Sequence, residues 1–87
     1  MNANTDNTIT ITEARVTGTE WMRRYSNGFI EQGGYAWGHD IALIEPYTRA
    51  YAVICCGELV HGHHYADHFI AYPVRPTLSS SWVAYGY

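Results

Sequence analysis

A chain of 87 residues is long enough for one domain, and a domain of this size buries only about 60–70% of the surface that its unfolded chain exposes. The formal net charge is −3, and the only basic side chains apart from histidine are five scattered arginines, which argues against a nucleic-acid-binding protein. The longest apolar run, 50–56, is far shorter than the ~20 residues that cross a bilayer. We therefore expect neither nucleic-acid binding nor membrane insertion. We also expect a thin hydrophobic core, with additional apolar surface buried by contacts with partner chains.

The chain begins with a polar stretch and then alternates. Residues 1–8 predict a frayed lead-in without the features of a signal peptide, and residues 8–12, TITIT, predict a half-buried strand with Ile9 and Ile11 on one face. Gly18 ends this pattern. We therefore expect a lead-in at 1–19, which is either the end of a stalk or a first strand, and a β domain at 20–87.

Asn27-Gly28 lies between two alternating runs, which is the strongest short-range signal for a β-hairpin with a two-residue type I′ turn. In that register Arg24 faces Glu31, and a cross-strand ion pair of this kind contributes about 0.2–1 kcal/mol. The side chains predicted on the opposite, buried face of the hairpin are Trp21, Tyr25 and Ile30.

Four further strands are predicted in 40–47, 49–57, 69–75 and 79–87, with turns near Pro46 and at Pro76-Thr77. The adjacent Cys55 and Cys56 are too few for a disulfide framework or a four-ligand zinc site and are predicted as small buried residues in a strand. No run of ten residues has helical periodicity. About seven short strands predict an all-β fold, a small antiparallel sandwich or a barrel-like knob.

Three segments resemble one known family, the C-terminal domain at the tips of bacteriophage and prophage tail fibres. EWMRRYSNGFIEQGG is similar to its opening, W-x-R-x-(Y)-S-(N/D)-G-x-I-x-Q-x-G, and SSSWVAYGY is similar to its closing strand, W-x-A-x-G-Y. IALIEPYTRAYAV is similar to its central strand, Pro-aromatic turn and following strand. The resemblance covers about Glu20 to Tyr87.

The resemblance implies a β knob that forms a homotrimer at the fibre tip of the virion, is made in the host cytoplasm, and binds a surface glycan or an outer-membrane protein of the host. The residues that match the family signature are expected to serve the fold and the trimer: Trp21, Arg23, Ser26, Gly28, Ile30, Gln32, Trp82 and Gly86. The alternative is a structural fibre-tip or tail-assembly trimer that contacts other virion proteins.

The expected receptor contacts combine aromatic rings with polar groups on loops that a rigid scaffold holds. They are Tyr35, Trp37, His63, His64, Tyr65 and Asp67. Individual contacts of this kind are weak, and three copies at each tip would raise avidity by about 10²–10⁴.

The segment HGHHYADH leaves three interpretations open. His61 and His63 would point to one face of a strand, so three copies could place six imidazoles around an axial metal, as in the needle of some long tail fibres. His64 and His68 could bind zinc with Asp67 on a helical turn, although the glutamate of H-E-x-x-H is absent. The third interpretation is an exposed polar loop without metal.

No pattern in the sequence compels catalysis. The carboxylates are dispersed, the serines at 79–81 lack the G-x-S-x-G turn of a hydrolase, and no spacing favours a thiol dyad between Cys56 and a histidine. We therefore expect no enzymatic activity and no cofactor.

Overall fold

The structure is a computed structural model, and it describes residues 8–36, 39–56, 59–73 and 80–87. Within these ranges the chain forms eight strands and no helix, which confirms the prediction of an all-β fold. The strands are β1 (Ile11–Thr17), β2 (Glu20–Tyr25), β3 (Ile30–Ala36), β4 (His39–Ala42), β5 (Tyr51–Cys55), β6 (Leu59–His64), β7 (His68–Pro73) and β8 (Ser80–Gly86). None of the described residues belongs to a helix with the length and apolar character needed to cross a membrane.

The strands form two antiparallel sheets that pack on each other. The five-stranded sheet has the order β1-β2-β3-β8-β5, and the three-stranded sheet has the order β4-β7-β6. Their inner faces meet where Phe69 packs edge-on against Trp82, with ring centroids 4.9 Å apart. The buried apolar residues around this contact are Met22, Ile30, Ile41, Leu43, Tyr47, Tyr51, Phe69, Ala71, Trp82 and Ala84. The fold is therefore sandwich-like, with one core between the sheets.

The β2–β3 hairpin has a different turn from the predicted one. The Tyr25 amide donates to the carbonyl of Phe29 (2.8 Å), and the Gly28 amide donates to the carbonyl of Tyr25 (2.9 Å), so the loop contains three residues. Gly28 has a φ of +90°, the left-handed conformation that such a loop requires at its last residue. The extra loop residue shifts the register by one, so Arg23 faces Glu31. The predicted type I′ turn and Arg24–Glu31 pair are therefore wrong.

The same shift turns β2 over relative to β3, because neighbouring strand residues point to opposite sides of a sheet. Met22, Ile30 and Gln32 are buried between the sheets. Trp21 and Tyr25 lie on the outer side, where the Trp21 ring covers Gly33 so closely that a Cβ there would come within 2.9 Å of it. The predicted common face of Trp21, Tyr25 and Ile30 is wrong, and of the three only Ile30 is in the core.

The predicted burial of Ile9 and Ile11 is also wrong. β1 is the edge strand of the five-stranded sheet, and these two side chains are 57% and 52% exposed. Residues 11–17 pair with β2 throughout, with a register irregularity between Ile11 and Glu13. The first strand of the chain therefore extends the sheet rather than closing the core.

A buried glutamine positions the loop between β4 and β5. The side-chain amide of Gln32 donates to the carbonyl oxygen of Glu45 (2.8 Å) and accepts from its backbone amide (3.1 Å). Gln32 is fully buried, so these two bonds satisfy the polar group that its position takes out of water. They hold Glu45, in the loop between β4 and β5, against the end of the sandwich at which the β2–β3 loop also lies.

Candidate functional site

The turn between β6 and β7, residues 64–68, is held by the interior while its side chains face solvent; we call it the β6–β7 turn. Leu43 donates its backbone amide to the carbonyl of Asp67 (3.0 Å), and Tyr47 donates its own to the carbonyl of Ala66 (2.8 Å). Within the turn, the Tyr65 amide donates to the carbonyl of His68 (2.8 Å). The turn therefore has a defined backbone, although only His68 among its side chains is partly buried.

Tyr51 holds the same turn from the core of the sandwich. Its hydroxyl donates to the carbonyl oxygens of Tyr65 and His68, and the second of these is 3.0 Å away. The Tyr51 ring stacks on Tyr47, with centroids 4.3 Å apart and planes at 15°. Burial raises the pKa of Tyr51 to about 12, so the hydroxyl keeps its proton and donates at neutral pH.

The exposed side of the turn carries an aromatic pair next to a carboxylate. The rings of Tyr65 and His68 are stacked, with centroids 4.6 Å apart and planes at 15°. His68 Nδ1 is 2.7 Å from Asp67 Oδ1, and this hydrogen bond lowers the pKa of the Asp67 carboxyl. The arrangement offers a flat apolar surface beside hydrogen-bonding groups, which is what a sugar ring or a polar peptide loop needs from a binding site.

The histidines at the end of β6 contact one another. His61 Nε2 and His64 Nδ1 are 3.3 Å apart across a register irregularity in the β6–β7 pairing. Burial, and then His64 and His63, lower the pKa of His61. His64 also packs edge-on against Tyr51, with ring centroids 4.8 Å apart. His61 thus lies between His64, on which its ring stacks with centroids 5.2 Å apart, and the core residue Phe69, whose ring centroid is 6.2 Å away.

The zinc interpretation with His64, His68 and Asp67 required a helical turn, and these residues do not form one. The structure places these residues in a β-hairpin, where His64 ends β6 and His68 begins β7. In the part of the chain that the structure describes, no group of three or more His, Cys, Asp or Glu side chains could hold a metal ion.

The structure brings together four of the six predicted receptor residues: His63, His64, Tyr65 and Asp67 lie at the β6–β7 turn or next to it. Tyr35 is 61% exposed on the far side of the five-stranded sheet. It lies about 17 Å along β3 from Ile30, whose carbonyl accepts a hydrogen bond from Tyr47 below the turn. Tyr35 is therefore not part of the same surface, and Trp37 lies outside the described residues.

The residues of the family signature have roles in the fold of a single chain. Ile30, Gln32 and Trp82 are core residues, and the Trp82 indole N–H has no hydrogen-bond partner among the described residues. Ser26 and Gly28 form the hairpin loop, and the Ser26 hydroxyl accepts from the Thr10 amide (3.1 Å).

Arg23 lies over the Trp21 ring, 4.8 Å from its centroid. Gly86 has no room for a side chain, because a Cβ would be 2.5 Å from the carbonyl oxygen of Ala50.

A polar cleft that the sequence did not predict opens beside the loop that supports the turn. It has a volume of about 350 Å³ and lies between the β2–β3 loop and residues 45–49. Arg24 in its wall is neutralised by Glu13 (3.2 Å) and Glu45 (3.0 Å). Arg49 and Thr48 line the same cleft and are exposed. The cleft extends the polar surface around this end of the molecule.

The fold and the anchored turn define a class of protein, a small all-β domain that displays a preformed turn with exposed aromatic and polar side chains. Comparison of the chain with protein-family models, with curated proteins and with solved structures finds no match.

Proposed function

We propose that this chain is the distal tip domain of a phage tail fibre, that it acts as a homotrimer, and that the β6–β7 turn binds a receptor on the host-cell surface. The resemblance of the β2–β3 hairpin and of the last strand to tail-fibre tip domains supports the class of protein. The all-β fold is compatible with a knob of this class.

The observation that carries the binding role is the way in which the turn is anchored. Among the described residues, Leu43, Tyr47 and Tyr51 donate hydrogen bonds to backbone carbonyls of the turn, and the side chains of Tyr65 and Asp67 take no part in these bonds. The side-chain hydrogen bond that leaves the turn joins His64 to His61. Tyr65 and Asp67 can therefore be replaced without loss of the bonds that hold the backbone of the turn. A turn that is ordered before binding also loses less conformational entropy when the receptor docks.

The exposed groups favour a glycan or a polar loop as the bound partner. The stacked rings of Tyr65 and His68 provide an apolar face, and the Asp67 carboxylate accepts hydrogen bonds beside it. One such contact area is small and binds weakly. Three turns at one fibre tip, and several fibres on one particle, would convert later contacts into nearly intramolecular events.

The test is cell binding by the purified chain. Fluorescently labelled protein is screened on a panel of Gram-negative strains with defined lipopolysaccharides, and phage adsorption is measured on each strain that it decorates. We expect the double variant His63→Ala/Tyr65→Ala to lose decoration and to lose the block of adsorption. Val60→Ala, which removes an exposed apolar side chain from β6, is the matched control and should bind normally.

Two results would contradict the proposal. Decoration that is equal for the wild type and for the double variant would exclude the turn as the binding surface. If the protein decorates no strain but co-purifies with tail proteins of a phage particle, it is instead a structural tip that contacts other virion proteins.

A further inference from the structure

One face of the five-stranded sheet is largely apolar, and no other strand among the described residues packs on it. The outer face is the side that points away from the three-stranded sheet. A row of register partners crosses all five strands on this side: Val16, Trp21, Gly33, Val83 and Ile54. Val16 is 78% exposed at one end of the row, and Ile54 is 50% exposed at the other. We call these five residues the apolar row.

Aromatic side chains continue the apolar surface towards the β2–β3 loop. Phe29 packs near Tyr25, Tyr85 and Tyr87, with ring centroids between 5.5 and 6.3 Å apart. Tyr35 extends the surface at the opposite end of β3. The outer face is therefore mostly apolar and aromatic, with Arg23, Glu31 and Ser81 among its polar side chains.

The charges on the outer face cancel within the chain. Among the described residues of the five strands, Arg23 and Glu31 are the charged side chains that point to this side, and they are cross-strand partners with Nε and Oε1 3.7 Å apart. Tyr25 donates its hydroxyl to Glu31 (2.5 Å). A nucleic acid or an acidic polysaccharide would find no unpaired positive charge here. A second copy of the same face would meet a neutral, largely apolar surface. Its own Arg23 and Glu31 would match the anion and the cation of the first copy.

The size of the face also suits association between copies. Five strands spaced about 4.8 Å apart, each with about seven residues that rise about 3.3 Å, cover roughly 500 Å². Patches of this size are at the upper end of what monomers expose, and a stable interface buries about 800 Å² on each partner. The accessible area of a face with projecting Trp, Tyr and Ile side chains exceeds its flat footprint, so the face approaches this value.

We propose that the outer face is the surface through which copies of this chain associate. The number of copies, three, rests on the proposed function, but the location of the interface does not. Association would bury Val16 and Ile54, which are exposed in the single chain.

The experiment places a charge at each end of the apolar row. Ile54→Glu and Val16→Glu are made in separate proteins, because two independent edge positions keep the test valid if one variant does not fold. Val60→Glu is the matched control, since Val60 is 54% exposed on a strand of the other sheet. Mass is measured by light scattering after gel filtration at about 10 µM, and folding is measured by circular dichroism. An unpaired charge in an apolar interface should weaken association at least about 100-fold.

The wild type and Val60→Glu are expected to have a multiple of the single-chain mass, whereas Ile54→Glu and Val16→Glu have the mass of one folded chain. A wild type with the mass of one chain overturns the interface, as does a folded Ile54→Glu or Val16→Glu that stays associated. Equal dissociation of Val60→Glu places the interface elsewhere and also overturns it. A dimer that Ile54→Glu dissociates supports the interface and contradicts only the three-fold state. An associated wild type that decorates no strain contradicts only the receptor role.

Discussion

Replacement of Tyr51 by phenylalanine removes one hydroxyl from below the β6–β7 turn and keeps the ring. The stack on Tyr47 and the edge contact with His64 need only the ring, so packing is preserved. The loss is one O–H that the carbonyl oxygens of Tyr65 and His68 share. A neutral hydrogen bond contributes about 0.5–1.5 kcal/mol net, and we expect about 1 kcal/mol because water can reach the carbonyls of an exposed turn.

The assay measures global stability from Tm and local stability from amide hydrogen exchange. For a domain of this size, about 1 kcal/mol lowers Tm by about 4–8 °C. The Tyr65 amide, which donates to His68 within the turn, should exchange with solvent about five times faster, because a factor of ten corresponds to about 1.4 kcal/mol. Because the β6–β7 turn is less stable in Tyr51→Phe, this variant should also decorate cells more weakly.

Tyr47→Phe is the matched control, because it removes a hydroxyl that donates to the carbonyl of Ile30 (3.1 Å) and leaves its own amide bond to the turn intact. We expect a similar loss of global stability without a selective rise in exchange at Tyr65. If exchange at Tyr65 is the same in Tyr51→Phe as in the wild type, the hydroxyl does not hold the turn and the reasoning is refuted.

The same hydroxyl predicts a dependence on alkaline pH. Burial raises the pKa of Tyr51 to about 12 from an ordinary value of 10.0, so the unfolded chain loses this proton first as pH rises. The contribution to stability is complete below about pH 10 and is lost as pH rises through about 12. Between about pH 10 and about 12, the free energy of unfolding measured in urea should fall less steeply with pH for Tyr51→Phe than for the wild type.

Three further variants test the core and the histidines. Gln32→Leu strips both backbone partners from Glu45 and should lower the free energy of unfolding in urea by about 2–4 kcal/mol; an unchanged midpoint would contradict the anchoring role. Gly86→Ala forces a methyl group against the carbonyl of Ala50 and should cost about 1–3 kcal/mol in the same assay, whereas a neutral effect would show that the strands can separate. Burial, and then two neighbouring histidines, lower the pKa of His61, so the unfolded chain is protonated first as pH falls. Its contribution is complete above about pH 6.5 and is lost below it, and His61→Phe should flatten the fall of Tm between pH 7.5 and about 5 that the wild type shows.

The fold class could be predicted because alternation with period two is visible in the sequence itself. β5 illustrates this: the alternating set Tyr51, Val53 and Cys55 indicates one face, and these side chains pack against the core. Cys56 follows the end of β5 and is exposed, so the predicted burial of this residue is wrong. The strand that the pattern did not predict is β6, where His61, Gly62 and His63 hide the alternation and the pairing with β7 is irregular.

The β2–β3 hairpin shows that a difference of one residue in loop length changes which side chains are buried, and the sequence does not decide this length. Asn27-Gly28 is compatible with a two-residue turn and equally with a three-residue loop that ends in a left-handed glycine. The choice depends on which face the rest of the sandwich buries. Because the loop takes the longer form, Met22 rather than Trp21 enters the core, and the aromatic residue lies on the outer face.

The candidate site could be predicted only in part, for a related reason. The exposed residues of the β6–β7 turn are consecutive or nearly so in sequence, and a polar, histidine-rich segment between strands indicates a loop. The anchor could not be predicted, because Tyr51 and the turn are brought together only by the packing of two sheets. The apolar row likewise consists of one residue from each of five strands, so it exists only once the register of the whole sheet is set.

The most direct test of the account is the mass of the unmodified chain in solution. Sedimentation equilibrium at several micromolar concentrations measures it without assumptions about shape. We predict three times the single-chain mass, because three outer faces would cover one another and present three turns at one tip. A single-chain mass for folded protein across that range would contradict both the interface and the trimeric fibre tip.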